Sequence, residues 1–133
     1  MAEKVFKIAA HGLLKKGNRY LVLLRSDTDG YMPGYWDLPG GAINFGEDTY
    51  AALRREFIEE TGLKISIGQI LLAYGYMSGQ WRHQFQLVFS CINPKGKVRL
   101  SRDHTEYRWV TLKEMGKLKK IAYFSALYKH LVK

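Results

Sequence analysis

The chain predicts an α+β fold, a mixed sheet sandwiched between helices, on three observations. Residues 83–91 (HQFQLVFSC) alternate Phe85, Leu87, Phe89 and Cys91 with Gln84, Gln86 and Ser90, the period of a strand with one apolar face. Residues 49–61 carry Leu53 and Phe57 at i, i+4 between a capping Asp48 and a helix-stopping Gly62. Helical spacing returns near the end of the chain, so a helix on each face of the sheet would bury both of its surfaces. At 133 residues and 47% hydrophobic content, one domain over residues 1–133 holds a core without disulfides or structural metal.

Taken in order, residues 5–14 (VFKIAAHGLL) and 20–25 (YLVLLR) read as strands flanking the turn signal Lys16-Gly17-Asn18, a hairpin. Residues 26–36, with Asp27, Asp29, Gly30, Pro33 and Gly34, read as a surface loop entering Leu38-Pro39-Gly40-Gly41. The helix over 49–61 follows. Residues 69–77 (QILLAYGYM) and 83–91 are long strands joined through Ser78-Gly79-Gln80-Trp81, with a second turn at Asn93-Pro94-Lys95-Gly96. Residues 106–110 (EYRWV) form a short strand, and 113–131 a final helix with Leu118, Ile121, Ser125, Tyr128 and Val132 along one stripe.

Composition narrows the function classes. The net charge of +9 favours anionic ligands, with nucleic acid among them. Residues 111–133 hold six lysines against one glutamate, which is +5 of that +9, and these read as the solvated face of the last helix. Cys91 is the one cysteine, so no internal disulfide forms, and its place in an apolar alternation marks an inert core thiol. No apolar run reaches signal-peptide or bilayer length, and the expectation is a soluble cytoplasmic protein without membrane contact.

Against this basic background, residues 41–63 gather five of the twelve acidic residues: Glu47, Asp48, Glu56, Glu59 and Glu60. On a helix, Glu56, Glu59 and Glu60 share one face, where like charges repel, and the last two sit at the negative end of the macrodipole. No basic residue on the next turn relieves them. A local rule broken this way marks a functional site, and clustered carboxylate oxygens suit Mg²⁺ or Mn²⁺.

The same segment fits G-x5-E-x7-R-E-U-x-E-E-x-G-U, U being bulky and apolar, at Gly41, Glu47, Arg55, Glu56, Phe57, Glu59, Glu60, Gly62 and Leu63. At roughly 6% usage per residue type, its seven fixed positions coincide by chance on the order of once in 10⁸ to 10⁹ starting points. The segment resembles the box of the Nudix hydrolases without departure. Trp36-Asp37-Leu38-Pro39-Gly40-Gly41 is similar to the family's lead-in, and residues 104–110 (HTEYRWV) to its later strand. The resemblance implies an α/β/α sandwich and metal-dependent hydrolysis of a nucleoside diphosphate linked to another group. It also implies a metal site of Gly41 (through its carbonyl), Glu56, Glu59 and Glu60. Glu56 is the first candidate for general base, Asp103 the second and Glu106 the third. Arg55 is expected to point away from the glutamate face and to brace the loop through Glu47.

Beyond the box, Arg25 resembles a position that touches substrate phosphate, and is otherwise an ordinary strand-end arginine. Tyr74, Tyr76, Trp81 and Phe85 could form a base-stacking wall, with Gln84 and Gln86 reading a base edge. His11 and His83 have no metal-ligand partners at recognisable spacing and receive no role. The expected substrate is a small-molecule nucleotide, foremost a nucleoside triphosphate cleaved to monophosphate and pyrophosphate. The alternatives are a nucleotide sugar, an RNA 5′ end, and a non-catalytic nucleotide-sensing module; the resemblance also admits a homodimer.

Overall fold

The structure, a computed structural model, describes residues 3–27 and 32–133; Asp29 and Gly30 of the expected loop lie outside the described residues. Among the described residues seven strands form one mixed sheet that opens into two halves. β1 (Val5–Lys16) and β2 (Arg19–Arg25) pair at Lys15↔Tyr20 and Lys16↔Arg19, around a turn in which Gly17 takes a φ of 62°. Beyond those two pairs the hairpin splays. The upper part of β1 instead pairs antiparallel with β4 (Gly40–Ala42) and parallel with β6 (Arg82–Lys95), from Val5↔Arg82 to Leu14↔Cys91. β2 pairs with β3 (Trp36–Asp37) and, along its whole length, with β7 (His104–Val110). β5 (Lys64–Met77) lies antiparallel to β6 at the outer edge. The splay leaves a gap between β1–β4 on one side and β2–β3 on the other.

A helix fills each face, as the patterning requires. α1 (Thr49–Thr61) starts where Asp48 Oδ2 accepts the N–H groups of Tyr50 and Ala51, both at 3.1 Å. It stops at Gly62, whose φ of 74° supplies the left-handed cap and whose N–H reaches Ile58 O. Its buried Leu53 and Phe57 pack with Ala10, Leu14, Leu21, Leu23 and Phe89. Phe57 sits so close to β1 that a Cβ on Gly12 would stand 2.5 Å from its ring and 2.8 Å from Cys91 Sγ. Cys91 is buried here and burial pushes its thiol up to about 12, as an inert core cysteine should behave. On the opposite face Leu13, Val22, Leu38 and Val88 pack with Met115, Tyr123, Phe124 and Leu127.

The final helix departs from the expected 113–131. It is split into α2 (Leu112–Met115) and α3 (Ala122–Leu131). Thr111 and Glu114 form a capping box for α2. Gly116 then lies where any Cβ would meet the Tyr128 hydroxyl, and residues 119–121 pair with β3, Trp36 N–H donating to Lys119 O at 2.8 Å and Ile121 N–H to Trp36 O at 3.1 Å. Strand-like bonding to Trp36 therefore outcompetes helical continuation. The buried face of α3 is Tyr123, Phe124 and Leu127, while Val132, expected on the inward stripe, is 49% exposed. The strands at 69–77 and 83–91 extend further than expected, to 64–77 and 82–95, so Asn93, with a φ of 56°, bends β6 from within instead of ending it. No helix of the described residues is long and apolar enough to cross a membrane.

Because Phe57 seats α1 on β1, its truncation leaves a cavity under the helix. Phe57→Ala is expected to destabilise the chain by about 3–5 kcal/mol, read as a lower urea midpoint at unchanged slope.

Candidate active site

The gap between the two half-sheets is a cleft of about 330 Å³, lined by residues of β1 to β6, α1 and α3. The absence of a side chain at Gly41 lets α1 close against it. At Gly41 a Cβ would stand 2.6 Å from the Glu56 carboxyl carbon, so a side chain there would displace that carboxylate. Gly40, at a φ of 146°, donates its N–H to Glu60 Oε1 at 2.8 Å. Glu56 and Glu60 thus enter the cleft through β4, and both line it together with Gly41. Glu59 does not line the cleft, and 55% of its side chain is exposed.

Arg55 organises the loop between β4 and α1. Its Nε and Nη2 donate to Glu47 Oε2 at 2.7 Å and Oε1 at 2.9 Å, and Nη2 also reaches Ala42 O at 3.1 Å. Glu47 accepts the Asn44 N–H as well, and these bonds, led by that to Arg55, hold its carboxyl down at about 2. The expected brace is therefore present. The expectation that Arg55 points away from the glutamate face is not met: Nη1 donates to Glu56 Oε1 at 2.9 Å and lies 3.3 Å from both oxygens of Glu59. Side chains at adjacent and i+4 positions meet because the guanidinium curls back along the helix toward Glu47.

The carboxyls inside the cleft are electrostatically overloaded. Burial raises the Glu60 carboxyl to about 9, against the opposing Gly40 hydrogen bond and with help from Asp37, Glu56 and Asp103. Burial also raises Glu56, partly offset by Arg55 and reinforced by Glu59. Such groups ionise together when a cation joins them, and their hard oxygens fit a divalent metal. The carboxylates are not gathered around one point, since Arg55 engages Glu56 and Glu59, and among the described residues no three His, Cys, Asp or Glu side chains converge at ligand distance.

Four residues that received no role in the sequence meet at the cleft: Asp37, His11 and Tyr123 line it, and His104 is buried against Asp37. Asp37 is buried, pairs with Arg25 at 3.2 Å and accepts a hydrogen bond from the Tyr123 hydroxyl. Burial alone would raise its carboxyl, but His104, His11 and Tyr123 overcome this and hold it at about 2. Tyr123 also lies 2.9 Å from His11 Nδ1, and His11 Nε2 lies 2.7 Å from Gln86 Oε1. His104 is buried beside Asp37 and Glu60. Polar residues inside otherwise apolar strands were the available signal: His11 in IAAHGLL, Asp37 in WDLPG and His104 heading HTEYRWV.

Of the expected substrate contacts, Arg25, Tyr76 and Gln86 line the cleft, as does Asp103. Gln86 Nε2 donates to the Tyr76 hydroxyl, which donates to Gln84 Oε1, both at 3.3 Å. Gln84 and Tyr74 share the sheet face of Tyr76 and Gln86 but do not line the cleft; Tyr74 packs on the core beneath α3. Phe85 pairs across from Gly75, on the reverse face, where it stacks with Phe6 and His83. Trp81 is 44% exposed on the hairpin between β5 and β6, so the four aromatics do not form one wall. Glu106 is bound to Arg108 at 2.7 Å on the exposed side of β7, away from the cleft.

A family model, the NUDIX domain, matches residues 6–131. The chain belongs to the Nudix family. It is 30% identical to a MutT protein from Methanosarcina mazei Go1 whose structure superposes with a TM-score of 0.83, over 97% of this chain and 94% of that one. It is 29% identical over 108 residues to the nucleoside triphosphatase NudI of Escherichia coli O139:H28 (strain E24377A / ETEC), covering 74% of this chain and 77% of that protein. The E. coli ORF135 protein, at 17% identity, shares the fold with a TM-score of 0.85 over 98% and 90%. This Nudix chain is thus a hydrolase of a family that generally uses a divalent metal.

The Glu60 carboxyl sets a pH dependence. Its ordinary value is 4.5 and the fold raises it to about 9, so the folded state retains a proton that the unfolded state releases. That contribution to stability is complete below about pH 4.5 and is lost as pH rises toward 9. In EDTA, urea unfolding at pH 5 and pH 9 is expected to differ by a few kcal/mol on this account, and Glu60→Gln is expected to flatten the difference.

Proposed function

We propose that this Nudix chain hydrolyses nucleoside triphosphates to the monophosphate and pyrophosphate, residues 1–133 acting as one domain. The observation that carries the reading is the meeting, in one cleft, of half-buried Glu56, buried Glu60 and Gly41 with Tyr76 and Gln86. The first group suits a polyphosphate and its cation, the second a base. Similarity to the nucleoside triphosphatase NudI supports the same substrate class. Every box carboxylate is retained, which favours turnover over sensing. The charge of +9 and the buried lone thiol agree with an anionic substrate in a reducing, cytoplasmic setting.

Glu56, Glu59, Glu60 and the Gly41 carbonyl would hold Mg²⁺ or Mn²⁺. When bound, the cation neutralises phosphate charge and lowers the pKa of an attacking water. Glu56 takes the proton from that water, the role for which a carboxyl raised by burial is suited; Asp103, across the cleft, is the second candidate. The water oxygen bonds to phosphorus, the bridging P–O bond breaks, and its electron pair leaves with the departing phosphate group. Arg25 faces the phosphates from β2 while its pairing with Asp37 fixes its direction. The Glu47–Arg55 pair holds the β4–α1 loop, and Gln86 presents its amide to the base edge beside Tyr76. Tyr74 and Gln84 stand behind these two on the same sheet face.

A panel of nucleoside triphosphates and nucleotide sugars, assayed for pyrophosphate or phosphate release with Mg²⁺ and Mn²⁺, tests the reading. Triphosphates are expected to be turned over with pyrophosphate as product. Glu56→Gln, Glu59→Gln and Glu60→Gln are each expected to lower kcat by about 100-fold or more with the fold intact. Full activity in all three would remove the metal role, and exclusive turnover of nucleotide sugars would replace the substrate.

A further inference from the structure

We infer that His104 is a positioning residue that holds Glu60 in line for a divalent cation, bridging α1 to Asp37 on the other half-sheet; this rests on the metal-holding role proposed above for Glu60. His104 begins β7, opposite Arg25, where the β2–β7 register slips between Leu24 and Arg25. The segment leading to it is tied to both halves of the cleft. Arg99 N–H donates to Thr61 O at 2.8 Å and Ser101 N–H to Glu60 O at 3.3 Å, at the end of α1. Ser26 at the end of β2 donates from N–H to Asp103 O and from Oγ to Arg102 O, each at 2.9 Å. The imidazole is thereby carried in against Asp37 and Glu60, two residues that line the cleft, with 1% of its side chain exposed.

Its placement is poor for a ring that merely fills the core. Neither ring nitrogen has a hydrogen-bond partner, and a buried polar group left this way is costly. Each nitrogen instead faces a carboxylate, Nε2 at 4.0 Å from Asp37 Oδ2 and Nδ1 at 4.0 Å from Glu60 Oε2. Glu60 Oε1 is already fixed by the Gly40 N–H, so His104 addresses the oxygen that β4 leaves unsettled. Asp37 is anchored in turn by Arg25 and Tyr123. A carboxylate aimed from behind by a chain of this kind loses less freedom when it takes up a cation, which is how outer partners raise metal affinity.

Mn²⁺ alone, titrated into the full-length chain without nucleotide and followed by electron paramagnetic resonance of the free ion, reads the effect directly. His104→Phe, which keeps a ring and removes both nitrogens, is expected to weaken Mn²⁺ binding by about tenfold or more. His104→Gln, which restores a polar group, is expected to recover most of that loss. Glu60→Gln is expected to weaken binding at least as much as His104→Phe. If Glu60→Gln binds as wild type does, the metal reading of Glu60 falls and the role of His104 with it. If Glu60→Gln weakens binding while His104→Phe matches wild type, the role of His104 alone falls. Equal loss in His104→Gln and His104→Phe overturns it too, because packing would then explain both. Should thermal melting show His104→Phe unfolded, His104→Leu takes its place with the same expected loss.

Discussion

The arrangement depends on one close approach, that of α1 to the backbone of β4. Gly41 leaves room for the Glu56 carboxyl within 2.6 Å of where a Cβ would stand, and Gly40 meets Glu60 with its N–H. A side chain at Gly41 would displace the Glu56 carboxyl, and one at Gly40 would run into the β1 backbone at Ala10 and His11 and shift the N–H that meets Glu60. The apolar side of the same helix supplies the force that maintains the contact, through Leu53 and Phe57 in the core against β1. Burial of two phenyl- and butyl-sized groups on one side thus holds two acids against their repulsion on the other.

Charge within this contact is managed by division. Arg55 gives two parallel hydrogen bonds to Glu47 and leaves one nitrogen for Glu56 and Glu59 together. A bidentate, charge-assisted pair is the stronger arrangement, so the guanidinium is committed to the loop first and to the helix acids second. Glu60 receives nothing from Arg55, and its carboxyl is the one driven up to about 9. Of the two acids that line the cleft, the one most in need of a counter-charge is therefore the one that Arg55 does not reach.

Much of this was legible in the chain because it is written in local spacing. The caps at Asp48 and Gly62, the core pair Leu53 and Phe57, the box acids and the Glu47–Arg55 brace all lie within one short segment, where helical geometry relates sequence directly to space. Asp37, His11, His104 and Tyr123 come from four separate elements, and their meeting depends on how the β1–β2 hairpin splays, which no local pattern announces. The direction of Arg55 was misjudged for a related reason. Helical phase fixes where Cβ points, but a long flexible stem lets the guanidinium follow the field of Glu47, Glu56 and Glu59 instead. The split of the last helix likewise came from a distant partner, Trp36, whose backbone claimed residues 119–121.

The two ends of the cleft are joined by hydrogen-bond polarity. Asp37 is held ionised, so it accepts the one proton of the Tyr123 hydroxyl. Burial and the Asp37 charge push the Tyr123 phenol well up, which keeps that proton on its oxygen. With its proton spent on Asp37, the Tyr123 oxygen serves His11 as an acceptor, so His11 Nδ1 is the donor there and also faces Leu38 O at 3.3 Å. His11 Nε2 lies 2.7 Å from the Gln86 amide oxygen, and the amide nitrogen donates to the Tyr76 hydroxyl. The charge on Asp37, beside Arg25, thereby fixes a direction of bonding that runs through Tyr123 as far as His11. Contacts of this kind tie Arg25 on one half of the sheet to Gln86 on the other through Asp37, Tyr123 and His11.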